Sequence, residues 1–384
     1  MNTPQPINPP TETASADVLS RFSRGIAPLS VMPLWERTAR MKPGSACVPH
    51  RWRYAELRGP LEQACGLITK RDAERRVLVL ENPSLRGSTF ATQTLYAGLQ
   101  IIIPGEIAPS HRHSPSALRF IVEGEGAYTA VEGERIDMHP GDFIVTPNWT
   151  WHEHGNTGKL PVVWLDGLDT AMVAQFGAMF REDAPTESYA PANPSGESVA
   201  CFGSNMLPVD HQPRAHTSTP LRVYRYTQSR AALAALARAR APDPVHGYKL
   251  RYAHPGTGGH PFPTMAVYLQ HLPAGFAGQP WRSTESVVCC VVEGTATAVL
   301  GGDRFEVGPR DLLAIPPWIE ARFESTEGAV IFSYGDRAAQ ESLGLLREAR
   351  PAATTAAPRA RSPRATAGQA PPGARLPAGW RARW

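Results

Sequence analysis

The sequence is poor in several things, and each shortage excludes something. Only five of its 384 residues are cysteine. Cys47, Cys65, Cys201 and the adjacent Cys289 and Cys290 contain no Cys-x-x-Cys pair, so neither a disulfide framework nor a zinc ribbon is expected, and a reducing compartment fits. Charged residues are scarce at 19%, yet hydrophobic residues reach 42%, so most of the chain can bury a core. No apolar run reaches the roughly 18 residues of a membrane span, and no membrane partner is expected. The opening MNTPQPINPPTETASADVLS lacks a basic start followed by an apolar stretch. A secretory leader is therefore not expected, and the expected location is cytoplasmic. Acid is absent from residues 350–384, which carry seven arginines. The net charge of +4 arises in that tail, the remainder is mildly acidic, and no nucleic-acid partner is expected.

Proline, in contrast, is abundant at 38 residues, about twice the usual share. That favours turns and β-structure over long helices. Residues 1–27 are polar or Pro/Thr-rich and read as a flexible N-terminus. Residues 28–85 form a mixed segment that would pack on the β-domains, with helical spacing over 55–67 and a strand at the end of KRDAERRVLVL. From 86 to 170, short runs rich in Val, Ile, Tyr and Thr alternate with Gly, Pro and Asp, the pattern of an antiparallel barrel. Residues 171–245 read as a helical connector, through AMVAQFGAMF and SRAALAALARARA. The β pattern returns over 246–340, and 350–384 is a Pro/Ala/Arg segment of low complexity that reads as disordered.

The two β segments repeat each other. Gly105, Glu123-Gly124, Gly141-Asp142 and Pro147 in the first correspond to Gly275, Glu293-Gly294, Asp311 and Pro316 in the second. A repeat of about 170 residues implies two similar barrels. Only the first carries a metal-ligand pattern. His111 and His113 are two apart, so on a strand they face the same side. His152, in PNWTWHEHGN, is the third candidate, reachable across an antiparallel partner strand. In the second segment Trp281, Ser283 and Ala321 stand at the equivalent places, so that barrel is expected to be metal-free.

The two-part pattern Gly105-x5-His111-x-His113 and Gly141-x5-Pro147-x4-His152-x3-Asn156 resembles the cupin family. That family's first motif usually supplies a Glu four or five residues after the second His. Ala117 and Leu118 stand there instead, and Trp149 occupies a place where the second motif often has Gly. The expected centre is thus three histidines without a carboxylate. Three neutral imidazoles leave a divalent cation its full charge, which favours an anionic chelating substrate in a low-dielectric pocket. The ligand type fits Fe, Zn, Cu or Ni alike. His154 is an alternative fourth ligand, but its i+2 placement and the family pattern favour a place beside the centre, where it could serve in proton transfer.

Longer stretches narrow the resemblance. HRHSPSALRFIVEGEGAYTAVEGERIDMHPGDFIVTPNWTWHEHGN, ERRVLVLENPSL, TLYAGLQ, WLDGLD, RYAHPGTGGHPFPT and FSYGDRAAQESLGLLRE are similar to the gentisate 1,2-dioxygenase family of bicupins, in order over about residues 28–348. This group includes salicylate and 1-hydroxy-2-naphthoate dioxygenases. The resemblance implies a mainly β fold of two double-stranded β-helix (jelly-roll) barrels with short flanking helices. It implies one Fe(II) in the N-terminal barrel, an aromatic ortho-hydroxy acid and O2 as partners, and a homotetramer. The implied reaction opens gentisate between its carboxyl- and hydroxyl-bearing carbons to give maleylpyruvate. The alternatives are a salicylate or 1-hydroxy-2-naphthoate dioxygenase, or a metal-binding cupin without oxygenase activity.

Around the histidines, Arg119 shares their parity and could clamp a carboxylate. The resemblance adds Arg75 and Arg71 as further substrate contacts, and Asp166 as the contact of the substrate's far hydroxyl. Tyr96 and Gln100, four apart with matching parity, are expected to line the pocket. Trp149 and Trp151 have the parity opposite to His152 and fit core or interface positions. Cys289 and Cys290 fit plain core positions on opposite faces of one strand.

Overall fold

The computed structural model describes residues 11–69, 75–186, 188, 190–212, 217–351 and 380–383. Residues 1–43 form a unit of their own. In it the helix Ala16–Ile26 lies inside the segment expected to be flexible, and it buries none of its side chains. Asp17 in its first turn and Arg24 in its last complement the helix dipole, and Arg21 pairs with Asp17 at 3.0 Å.

From Gly44 onward the described residues are mainly antiparallel strands, with helices between them. The first barrel joins two sheets. One runs in the order Val223–Tyr224, Phe143–Thr146, Ala117–Glu123, Val162–Leu168, Tyr96–Ile102, Arg76–Val79. The other runs Arg181–Asp183, Ile107–His113, His152–Asn156, Ala127–Val131, Glu134–Asp137. The second barrel repeats the six-stranded sheet as His50–Trp52, Leu312–Ile315, Val287–Gly294, Ala329–Gly335, Ala266–Leu272, Tyr248–Arg251. The fold is thus the mainly β pair of barrels that the repeat implies.

The repeat reaches further than the barrels. Each barrel is preceded by a strand, a 14-residue helix and another strand: His50–Trp52, Tyr54–Leu67 and Arg76–Val79 before the first, Val223–Tyr224, Tyr226–Ala239 and Tyr248–Arg251 before the second. The leading strands are exchanged, because His50–Trp52 pairs in the second barrel and Val223–Tyr224 in the first. Neither helix has a side-chain cap of its own. Instead Tyr54 N–H donates to Asp311 Oδ1 at 2.9 Å, and Tyr226 N–H donates to Asp142 Oδ1 at 2.9 Å. An aspartate in a tight turn of one barrel satisfies a helix-start donor that would otherwise be orphaned.

Period-2 alternation divides the strand residues between three cores. Ile102, Ile121, Ile144, Val162 and Trp164 fill the first barrel, and Cys289, Val291, Leu313 and Ile331 fill the second. The opposite faces meet between the barrels, through Leu99, Leu118, Phe120, Val163, Leu165, Leu269, Cys290, Phe332 and Tyr334. Phe120 stacks on Phe332 with ring centroids 4.0 Å apart. Two buried aspartates cross the same boundary. Asp169 accepts from its own barrel's Ser116 N–H at 2.8 Å and from Thr264 Oγ1 at 2.5 Å in the other, while Asp336 accepts from Ser286 N–H at 2.9 Å and Thr94 Oγ1 at 2.7 Å.

Most of the segment read as disordered, residues 352–379, lies outside the described residues; at its end Trp380–Arg383 forms a strand paired with Glu348–Pro351, which in turn pairs with Arg282–Ser283. Low side-chain complexity does not prevent backbone ladder bonds. Among the described residues no helix is long and apolar enough to cross a membrane.

Candidate metal centre

The metal-ligand candidates sit on two neighbouring strands of the first barrel. Ile107–His113 pairs with His152–Asn156, and a bulge between Ala108 and His111 resets the register so that His111 stands directly opposite His152. Such a bulge re-aims side chains. The ligand atoms of His111, His113 and His152 all lie within 4.8 Å of one another. Their Nδ1 atoms face backbone carbonyls, of Pro109 at 3.2 Å, Pro115 at 2.7 Å and Thr150 at 2.9 Å. At His113 and His152 a donated Nδ1–H leaves Nε2 as the electron-pair donor, whereas His111 Nδ1 is shared between Pro109 O and the Arg75 guanidinium. The Nε2 atoms of His111 and His152 are buried with no hydrogen-bond partner. Together with His113 these imidazoles fit a metal ion.

The electrostatics support neutral ligands. Burial pushes His113 down to about 4, helped by the positive charge of Arg75. Burial lowers His111 further, with Arg75 adding to it, and lowers His152 and His154 well below the usual range, with Arg119 adding to both. Neutral imidazole is the metal-binding form.

His154 lies two residues beyond His152 on the same strand, fully buried, with neither ring nitrogen hydrogen-bonded. Its ring is 5.9 Å from His152 and 5.4 Å from Trp164. Arg75 Nη2 lies against His111 Nδ1. Arg119 and Asp166 face each other across adjacent strands, with Arg119 Nε 3.6 Å from Asp166 Oδ1. Burial raises the Asp166 carboxyl, and Arg119 and Arg75 oppose that rise. Tyr96 and Gln100 share the interior face of Tyr96–Ile102 with Ile102, whose side chain belongs to the first barrel's core. Burial, then the Asp166 charge, pushes the Tyr96 phenol up. Arg71 lies outside the described residues.

Arg119 does not share a strand with the histidines, so common parity is not what brings it to them. Pro115 separates Ile107–His113 from Ala117–Glu123, and the two strands belong to different sheets. Arg119 faces the centre because Ala117, Arg119 and Ile121 alternate inward along their own strand. Two supporting residues went unnoticed in the sequence. Thr146 accepts a hydrogen bond from Arg119 Nη1, and Trp164 Nε1 donates to Asp166 Oδ1 at 3.0 Å. Trp164 is two residues before Asp166, so period-2 spacing was the available signal. Thr146 offered none, because it meets Arg119 from another strand.

Trp149 takes φ 57°, the left-handed region, which accounts for the family's frequent Gly there. Its N–H donates to His113 O at 2.8 Å, and Arg112 stacks on both Trp149 and Trp151 at 4.4 and 4.6 Å. The strand Arg181–Asp183 flanks the ligand strand, with Arg181 opposite His113 and Asp183 opposite His111. In the second barrel Trp281 stacks on Phe323 at 5.9 Å and meets His246 edge-on at 5.1 Å, and these three residues line a small remaining cavity.

Two back-to-back barrels, one with a three-histidine cluster flanked by arginines that could hold a metal ion, define a bicupin, and the comparisons extend this to a ring-cleaving dioxygenase. Residues 98–167 match the family described as Cupin domain. The chain is 45% identical over 321 residues to gentisate 1,2-dioxygenase 1 of Aquipseudomonas alcaligenes, covering 83% of this chain and 92% of that protein. It is 36% identical to a gentisate 1,2-dioxygenase of Streptomyces sp. over 354 residues, 88% of this chain and 98% of that one. A solved salicylate 1,2-dioxygenase of Pseudoaminobacter salicylatoxidans, in adduct with gentisate, superimposes with a TM-score of 0.82 at 29% identity, covering 88% of this chain and 95% of that one. The chain belongs to the gentisate 1,2-dioxygenase family and is an enzyme, which sets aside the reading of a cupin without oxygenase activity.

Proposed function

We propose that the protein is an Fe(II)-dependent gentisate 1,2-dioxygenase that converts gentisate and O2 to maleylpyruvate. The observation that carries this reading is the buried Arg119–Asp166 pair beside the three histidines, of which His111 and His152 each keep a buried Nε2 with no hydrogen-bond partner. The pocket holds cationic groups for a carboxylate and an anionic group for a hydroxyl donor. Gentisate presents both.

His111, His113 and His152 would hold the iron, which when bound supplies a Lewis-acidic, redox-active centre for the substrate and O2. Arg75 and Arg119 attract and orient the substrate carboxylate. Asp166 accepts the hydrogen bond of the far hydroxyl and so raises the electron density of the ring; Trp164 and Arg119 hold that carboxylate in place. Tyr96 and Gln100 wall the ring. His154 is neutral and has both nitrogens available to donate or accept a proton as the ring opens. Both oxygen atoms enter the product, and the ring supplies all the electrons. Arg71 belongs to the same reading as a further carboxylate contact.

The protein is also read as a cytoplasmic homotetramer. Exposed Leu34 and Trp35 of the N-terminal unit offer apolar surface to another copy. The test of the function is substrate preference: Asp166→Asn should erase a preference for gentisate over salicylate while leaving iron bound. A variant that keeps its preference contradicts the proposal.

A further inference from the structure

We infer that Tyr334, a residue of the second barrel, positions the ring-recognition side of the first barrel's pocket. The inference rests on the roles of Tyr96 and Asp166 proposed above. Tyr334 lies in Ala329–Gly335 and is fully buried. A buried phenol needs an acceptor. Tyr334 finds it outside its own barrel, donating to the Tyr96 carbonyl oxygen at 2.7 Å.

Its ring rests on Gly167. A Cβ at Gly167 would come within 2.6 Å of Tyr334 Cζ, and the backbone there has no left-handed φ. Glycine is therefore required at 167 by the ring above it. Gly167 follows Asp166, and it pairs with Ala97, which follows Tyr96. One phenol thus fixes two neighbouring strands where Tyr96 and Asp166 project into the pocket.

The repeat explains how this arose. Ala97 pairs with Gly167 in the first barrel, and Val267 pairs with Tyr334 in the second, so 167 and 334 are equivalent positions. They meet at the boundary between the barrels, and the side chain missing from one leaves the space for the ring of the other. The second barrel has lost its metal ligands but retains this buttress. Burial drives the phenol well above its ordinary range, so it stays a donor at any working pH.

The test uses full-length, Fe(II)-loaded protein under anaerobic conditions, with binding of gentisate and of salicylate followed by tryptophan fluorescence. Tyr334→Phe keeps the ring and removes only the donor. Gentisate binding should weaken by about five- to tenfold, as for loss of one buried hydrogen bond, with salicylate binding and iron content unchanged. Gly167→Ala, which pushes the ring away, should act in the same direction. Equal weakening of both substrates, the mark of a merely structural role, overturns the inference, as does no change. Asp166→Asn separates the two levels. If it leaves the gentisate preference intact, the reading of the pocket fails; if it abolishes the preference while Tyr334→Phe does not alter it, only the Tyr334 inference fails.

Discussion

Arg119 and Asp166 stand opposite each other on adjacent strands, and Arg119 Nε lies 3.6 Å from Asp166 Oδ1 without a hydrogen bond. Burial raises the Asp166 carboxyl, and the Arg119 charge opposes that rise. Asp166→Asn keeps the shape and removes the charge. Gentisate kcat/KM should fall about 10- to 100-fold, as for a hydrogen bond to a charged group, with salicylate turnover changed far less. Steady-state kinetics on both substrates check this.

His154 shares a face with His152 but is separate from the three-histidine cluster. His154→Ala should leave one iron per chain and lower kcat by about 100-fold or more, the usual scale of acid–base assistance. Iron analysis beside turnover distinguishes this from a fourth ligand, whose loss would reduce the iron content.

Acid should destabilise the metal-free protein. Burial pushes His113 from its ordinary 6.5 down to about 4 in the folded protein, and His111, His152 and His154 are lowered too. As the pH drops below 6.5 the unfolded chain takes up protons that the folded chain excludes, so stability falls; above 6.5 this contribution is flat. Asp169 and Asp336, both raised to about 6 by burial, oppose the trend between pH 6 and 4, because the folded state binds their protons first. Asp336→Asn should therefore steepen the acid fall. Urea unfolding from pH 4 to 8 measures both slopes.

The proposed assembly gives a simple expectation. Sedimentation equilibrium should return about four times the 41.7 kDa chain mass, and a monomeric mass would contradict it.

The parts of this site that were legible in the sequence are local ones. His-x-His on a strand, the spaced His152 and the replacement of all three ligands in the second copy need only period-2 geometry and a repeat. The unread parts depend on contacts between distant segments. Thr146 supports Arg119 from a neighbouring strand, Tyr334 reaches Tyr96 from the other barrel, and His50–Trp52 and Val223–Tyr224 each join the barrel that does not follow them. The tryptophans near His152 illustrate the limit: parity placed Trp149 away from the ligands, but its left-handed backbone and its stacking with Arg112 follow from the turn that carries it.

Oxygen uptake by the Fe(II)-loaded protein tests the central claim most directly. With gentisate, one O2 should disappear per ring opened, with maleylpyruvate as product, and His111→Ala should abolish the uptake. Full iron occupancy at the three histidines without O2 consumption on gentisate would contradict the account.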